Sequence, residues 1–204
     1  STISCPMKSR HYLWLTLSIV SVGCVALLVG CGITQPTYTP PEPSPIESTS
    51  VTVGADFDTA WSTLIDYSSG RFFAIDSFEK DSGLLTLSFS SDPSRFIDCG
   101  MYKTDGPSYE GTYINYAERY LNANLNGRMN LTVREVNAGT KITVNTRYVY
   151  NVSSGTQQAT WSFNTGGSDT VTVPSNNFGA TQQRTCRPTH RAEEEILKGI
   201  QSEI

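Results

Sequence analysis

The sequence predicts an α+β domain in which one curved antiparallel sheet packs against an early helix and a C-terminal helix. Three observations predict it. Leu125, Met129, Leu131 and Val133 alternate with Asn126, Arg128, Asn130 and Arg134, and after Asn137-Ala138-Gly139 the alternation resumes through Ile142, Val144, Thr146, Tyr148 and Tyr150. Period 2 with one polar and one apolar face is a half-buried hairpin. Phe57, Ala60, Trp61, Leu64 and Ile65 fall on one helical face early in the domain, and Ala192, Ile196, Leu197 and Ile200 do so near the end.

The remaining elements follow in chain order. Ser50–Ala55 alternates weakly around Val51 and Val53, a short strand, and Asp56 is placed to cap the helix that follows. A strand is expected over about 71–78, a turn at Lys80-Asp81-Ser82-Gly83, and a partner strand through Leu85, Leu87 and Phe89. Asp92-Pro93 ends it. Residues 100–122 hold little periodicity and read as an irregular excursion with a short helix around Tyr113–Tyr120. Past the central hairpin, Ala159, Trp161 and Phe163 mark a strand and Thr170–Val173 a shorter one. Residues 174–183 read as loop, and Pro188 suits the first turn of the last helix. The Glu193-Glu194-Glu195 run reads as a solvated face of that helix. An early and a late helix covering the concave side of one curved sheet is a helix-grip arrangement.

The chain has 204 residues, 15 Lys+Arg against 19 Asp+Glu, and a net charge of −4. With no basic surplus to neutralise phosphates, nucleic-acid binding is not expected. At 17% charged and 38% hydrophobic it is too apolar for a disordered protein and too mixed for a multi-span membrane protein.

The N-terminal segment is read as an address. Residues 1–31 contain Lys8 and Arg10 and no acidic residue, so the remainder has 13 basic and 19 acidic residues, a net of −6. A basic start is followed by an apolar run from Tyr12 to Val29, which describes a secretory signal peptide over 1–30, with 1–6 upstream of the true start at Met7. The rival reading of the run is an uncleaved anchor. Leu28-Val29-Gly30-Cys31 resembles the lipobox of bacterial lipoproteins. That resemblance implies diacylglyceryl transfer to Cys31, cleavage before it and acylation of the new amine. Several acyl chains anchor stably. Cys24, after Val22-Gly23, is the weaker alternative. Gly32, where an Asp would retain the protein in the inner membrane, favours the outer membrane.

Residues 31–49 then read as the lipidated Cys and a tether. Prolines 36, 40, 41, 43 and 45 make this an extended, semi-rigid spacer, reaching up to about 50 Å. The domain is expected over 50–204.

Val51 to Trp61 (Val-Thr-Val-Gly-Ala-Asp-Phe-Asp-Thr-Ala-Trp), with Phe73 to Leu87 (Phe-Ala-Ile-Asp-Ser-Phe-Glu-Lys-Asp-Ser-Gly-Leu-Leu-Thr-Leu), resembles the helix-grip domains of BamC-like outer-membrane lipoproteins. The shared pattern is a strand, a short D-x-A-W helix, a strand, and a hairpin with a Gly turn. It covers about forty residues and implies a fold more than a chemistry. BamC has two such domains; this chain has room for one.

Two cysteines, Cys99 and Cys186, remain in the domain, and an even pair in an exported domain reads as a disulfide. A redox pair or metal site is the rival, with no C-x-x-C and one nearby His to support it. His190 is the single His past the signal. It reads as a surface residue of the last helix, the rival being a catalytic triad for which no nucleophile context is present. Asp76, Glu79 and Asp81 form a solvated turn or a Ca²⁺ cluster lacking the regular loop. The sequons at Asn130 and Asn151 carry no information in a bacterial lipoprotein.

Arg128, Arg134, Lys141 and Arg147 share one face of the central hairpin. This is a possible interaction face for an acidic partner or lipopolysaccharide, against an ordinary polar sheet face, which is favoured. Tyr 10, Phe 8 and Trp 3 mostly fill the core, although a helix-grip cavity suits an apolar ligand. The expectation is therefore a non-enzymatic outer-membrane lipoprotein facing the periplasm, a scaffold or accessory subunit of an envelope complex. It would meet the membrane through its lipid anchor, bind an envelope protein, and carry no cofactor or metal. The alternative is a carrier or sensor binding a lipid or other apolar ligand between helix and sheet. A hydrolase using His190 is the third.

Overall fold

A computed structural model describes residues 36–46, 48–104, 108–175 and 180–204. The expected signal segment, Met7 and Cys31 lie outside the described residues. In chain order the elements are β1 (Thr37–Thr39), β2 (Ser50–Val53), α1 (Phe57–Ser69), β3 (Ala74–Glu79) and β4 (Leu84–Ser91). Then come α2 (Pro93–Phe96), β5 (Ile97–Asp98), β6 (Met101–Lys103), β7 (Glu110–Thr112) and α3 (Tyr113–Tyr120). The long hairpin is β8 (Asn122–Val136) and β9 (Gly139–Ser154), followed by β10 (Gln157–Asn164), β11 (Asp169–Pro174), β12 (Thr181–Pro188) and α4 (Arg191–Glu203). The result is a mixed α+β fold in which every strand pairing is antiparallel.

The alternation of the central hairpin explains the main sheet, ordered β10-β9-β8-β4-β3. Its buried phase is Leu125, Met129, Leu131 and Val133 on β8 and Ile142, Val144, Tyr148 and Tyr150 on β9. The strand β9 is 16 residues long, and two partners share the edge away from β8: β2 along 140–143 and β10 along 147–154. Val136 and Gly139 face each other across the turn. Gly139 has φ 122°, and a Cβ there would sit 2.1 Å from the Val53 carbonyl oxygen, so only glycine lets the end of β2 lie beside the turn.

Helices α1 and α4 pack against each other and onto β9 on the apolar side, and α1 also reaches β8. Asp56 caps α1 by accepting from the Thr59 N–H at 2.8 Å, and Ala60, Trp61 and Leu64 face inward. The Tyr67 hydroxyl donates to the Glu195 carbonyl at 3.1 Å, and its ring lies where a Cβ on Gly199 would be. Phe72, Phe73, Phe89 and Phe96 fill the space beside the β3–β4 hairpin, with neighbouring centroids 4.1–5.7 Å apart.

Four readings of the sequence need correction. Residues from Pro36 are not a free spacer leading to a domain at Ser50: Thr37–Thr39 pairs with Met101–Lys103, and Pro41 is buried. Prolines flank this strand and do not interrupt it, so its N–H groups remain available for the ladder. Residues 181–188, placed partly in a loop, form β12, which joins β11 and β5 in one three-stranded sheet, while β1, β6 and β7 form another. Pro188 closes β12, and α4 begins after His190, which adopts a left-handed φ of 65°. Glu193 lies fully buried, on the inner face of α4.

Cys99 and Cys186 form a disulfide, S–S 2.01 Å, that ties the residue after β5 to β12 across 87 positions. Both are fully buried. While the bridge is intact neither sulfur is free to ligate a metal.

Candidate functional site

Helix α3 carries Tyr113, Tyr116 and Tyr120 at spacings of three and four, so the three rings share one face. Its Thr112 cap accepts from the Asn115 N–H. Strand β6 sets Tyr102 against that face: its centroid is 4.6 Å from that of Tyr116 and 6.0 Å from that of Tyr113. The residue opposite them is Arg184, on the inward phase of β12 and 4% exposed. Its guanidinium carbon lies 4.4 Å from the Tyr102 centroid and 4.3 Å from that of Tyr113. The Trp161 indole N–H fixes the Arg184 carbonyl at 2.8 Å.

Tyr102, Tyr113, Tyr116 and Arg184 line a pocket of about 550 Å³, together with Val152, Ala159 and Val173. Among the described residues no carboxylate comes within ion-pair distance of Arg184. Its Nε has no partner, and its Nη2 makes one long contact of 3.5 Å to Gln182 Oε1. An arginine cannot discharge itself by losing a proton. The protein therefore holds a fixed, desolvated positive charge against tyrosine faces, which offset part of that cost through their ring quadrupoles. Burial pushes the Tyr113 phenol above its ordinary value, and the guanidinium pulls it part of the way back. Tyr116 is raised as well, first by burial and then by Tyr102.

A second buried polar group lies under α4. Tyr148 donates to Glu193 Oε2 at 2.8 Å and Thr165 donates to Oε1 at 2.7 Å. Thr165 Oγ1 accepts from the Thr146 N–H at 2.7 Å. Burial, and then Glu193 itself, holds the Tyr148 phenol far above its usual range. This network joins α4 to the sheet through buried hydrogen bonds.

The other expected residues are placed as follows. Arg128 faces Arg147 and Arg134 faces Lys141 in register across the hairpin, all four exposed on the outer side of the sheet. Arg147 reaches only Ser162 Oγ, at 3.3 and 3.4 Å, and Arg134 bonds the Ser82 and Val133 carbonyls. Like charges directly opposite destabilise a hairpin. His190 is buried, not a surface residue: its Nε2 lies 3.2 Å from the Ser44 carbonyl, and its Nδ1 has no partner. Asp76 accepts from Ser88 and Glu79 from Ser82, and among the described residues no group of three or more His, Cys, Asp or Glu is arranged to hold a metal. No described helix is long and apolar enough to cross a membrane.

The tyrosine–arginine pocket was not legible beforehand. The α3 tyrosines read as core filler, and Arg184 lay at the margin of a supposed loop. The one available signal was Arg184 and Cys186 on the same phase of an eight-residue stretch. No protein-family model, curated protein or solved structure matches the chain.

Proposed function

We propose that the chain is an outer-membrane lipoprotein, anchored at Cys31 with its domain facing the periplasm. Its helix-grip-like, BamC-like domain is a non-enzymatic binding module, a sensor or carrier that takes a small ligand beside Arg184. The observation that carries this reading is the buried arginine without a counter-ion in a pocket of about 550 Å³, a size typical of small-molecule sites, roughly 300–1,000 Å³. The ligand expected between helix and sheet moves to a different place: no residue of α1 or α4 lines this pocket.

Fractionation and mass spectrometry test the proposal together. The full chain should fractionate with the outer membrane and retain a small molecule when extracted, and Cys31→Ser should release it from the membrane. A wild-type protein that fractionates as soluble, or that carries no small molecule, contradicts the corresponding half.

The scaffold reading rests on a separate feature. Strand β3 ends the main sheet, and Phe78 on it is 64% exposed. An unpaired edge bearing an exposed aromatic suits strand addition by an envelope partner. The Ile75–Ser77 register shift blunts that edge against self-association.

A further inference from the structure

Granting that the pocket is a binding site, a step that rests on the reading above, its lining also selects the chemistry of the ligand. Arg184 is the single charged residue among those lining it. The Tyr102 and Tyr113 ring centroids lie 4.4 and 4.3 Å from the guanidinium carbon and 6.0 Å from each other, so the two rings flank it at about a right angle. Nε is unpartnered but sealed off, and Nη2 makes only the 3.5 Å contact to Gln182 Oε1, so the terminal Nη1–Nη2 end is the part left for a ligand. An in-plane N–H fork matches the two oxygens of a carboxylate. One fixed positive charge balances one negative charge; a phosphate dianion would call for a second cation, and none lines the pocket.

The rest of the wall narrows the class further. A fatty acid calls for a uniformly apolar sleeve. Here Leu121, Val152, Ala159 and Val173 share the wall with hydroxyls and amides, those of Ser153, Gln157, Gln158 and Thr181. Neutral donors and acceptors in that number suit a ligand with several hydroxyl groups. The half-buried Tyr116 ring supplies a flat apolar surface on which the C–H face of a pyranose can stack. We propose that the pocket binds a carboxylate-bearing sugar, with its carboxylate on the Arg184 fork, its ring against Tyr116 and its hydroxyls toward the Gln157–Gln158 side.

Calorimetric titration of the purified full chain tests this with four kinds of probe. These are sugar acids (galacturonate and N-acetylmuramate), their neutral counterparts (galactose and N-acetylglucosamine), decanoate, and inorganic phosphate. The expected result is binding of at least one sugar acid about thirtyfold or more tighter than its neutral counterpart, since losing one partner of a buried charge pair costs at least that much. Arg184→Gln should abolish the difference, Arg184→Lys should restore only part of it, and binding should weaken with added salt. Tyr116→Ala, at a half-buried position, should weaken sugar acids while leaving the melting temperature near wild type, which guards against misfolding of the arginine variants. Decanoate or phosphate binding in an Arg184-dependent way, with sugar acids silent, overturns the sugar assignment but keeps the binding site. Silence of every probe overturns both.

Discussion

Tyr38 and Thr185 hold each other through both backbone groups of Thr185: the phenol donates to the carbonyl at 3.0 Å and accepts from the N–H at 2.8 Å. Residue 185 follows Arg184, so the segment leading in from the proposed anchor is clamped to the strand that builds the pocket. Tyr38→Phe removes both bonds and leaves the Thr185 N–H without its partner. The expected loss is about 1–3 kcal/mol in urea denaturation, with faster amide exchange at β12 than at β8. A stability equal to wild type would mean that the clamp contributes nothing.

The Glu193 network makes a separate claim. Glu193→Ala leaves the Tyr148 and Thr165 hydroxyls buried without their acceptor, for an expected cost of about 2–4 kcal/mol. In an alkaline titration followed by tyrosine absorbance, Tyr148 should stay protonated through the main rise in absorbance, because burial and Glu193 both oppose the phenolate. Early ionisation of all tyrosines together would show that the network is open to water.

These two features mark where the sequence was legible and where it was not. The β8–β9 hairpin and α1 could be read because apolar residues recur at the period of the element and Asp56 caps the helix. Strand β12 reads Thr-Gln-Gln-Arg-Thr-Cys-Arg-Pro, and its inward positions are Arg184, Cys186 and Pro188, so no apolar period announces it. In β1 a single tyrosine between two threonines, set among prolines, looks like spacer. Glu193 is hidden in a run of three glutamates, and only the phase of α4 distinguishes the inward one. Of these segments β12 brings Arg184 and Thr181 to the pocket, and for that reason the fold could be anticipated further than the pocket.

The disulfide should act locally as well as globally. Replacing Cys99 and Cys186 together by Ser is expected to cost about 2–5 kcal/mol. Hydrogen exchange should accelerate where β5 meets β12, at Asp98 and Arg187, while the centre of β8 and β9 stays protected. Uniform acceleration throughout would instead indicate that the bridge holds the whole fold.

Asp56 gives a pH dependence of known sign. The Thr59 backbone N–H, and then the Thr59 hydroxyl, hold its carboxyl below the ordinary value. A carboxylate depressed on folding contributes stability that is present above its unfolded pKa and lost as pH falls through the folded one. Asn at this position keeps the cap without the titration. The stability gap between wild type and Asp56→Asn should therefore be constant near neutrality and shrink below about pH 4. A gap that widens in acid would contradict the assignment.

The central claim is that Arg184 holds a ligand's negative charge. Native mass spectrometry of the full chain extracted from its own envelope, compared with Arg184→Gln handled identically, addresses it most directly. The predicted result is a wild-type peak carrying an added small molecule that yields an acidic fragment on release, and a folded variant at the bare protein mass. The same adduct on both proteins, or bare mass for both, would contradict it.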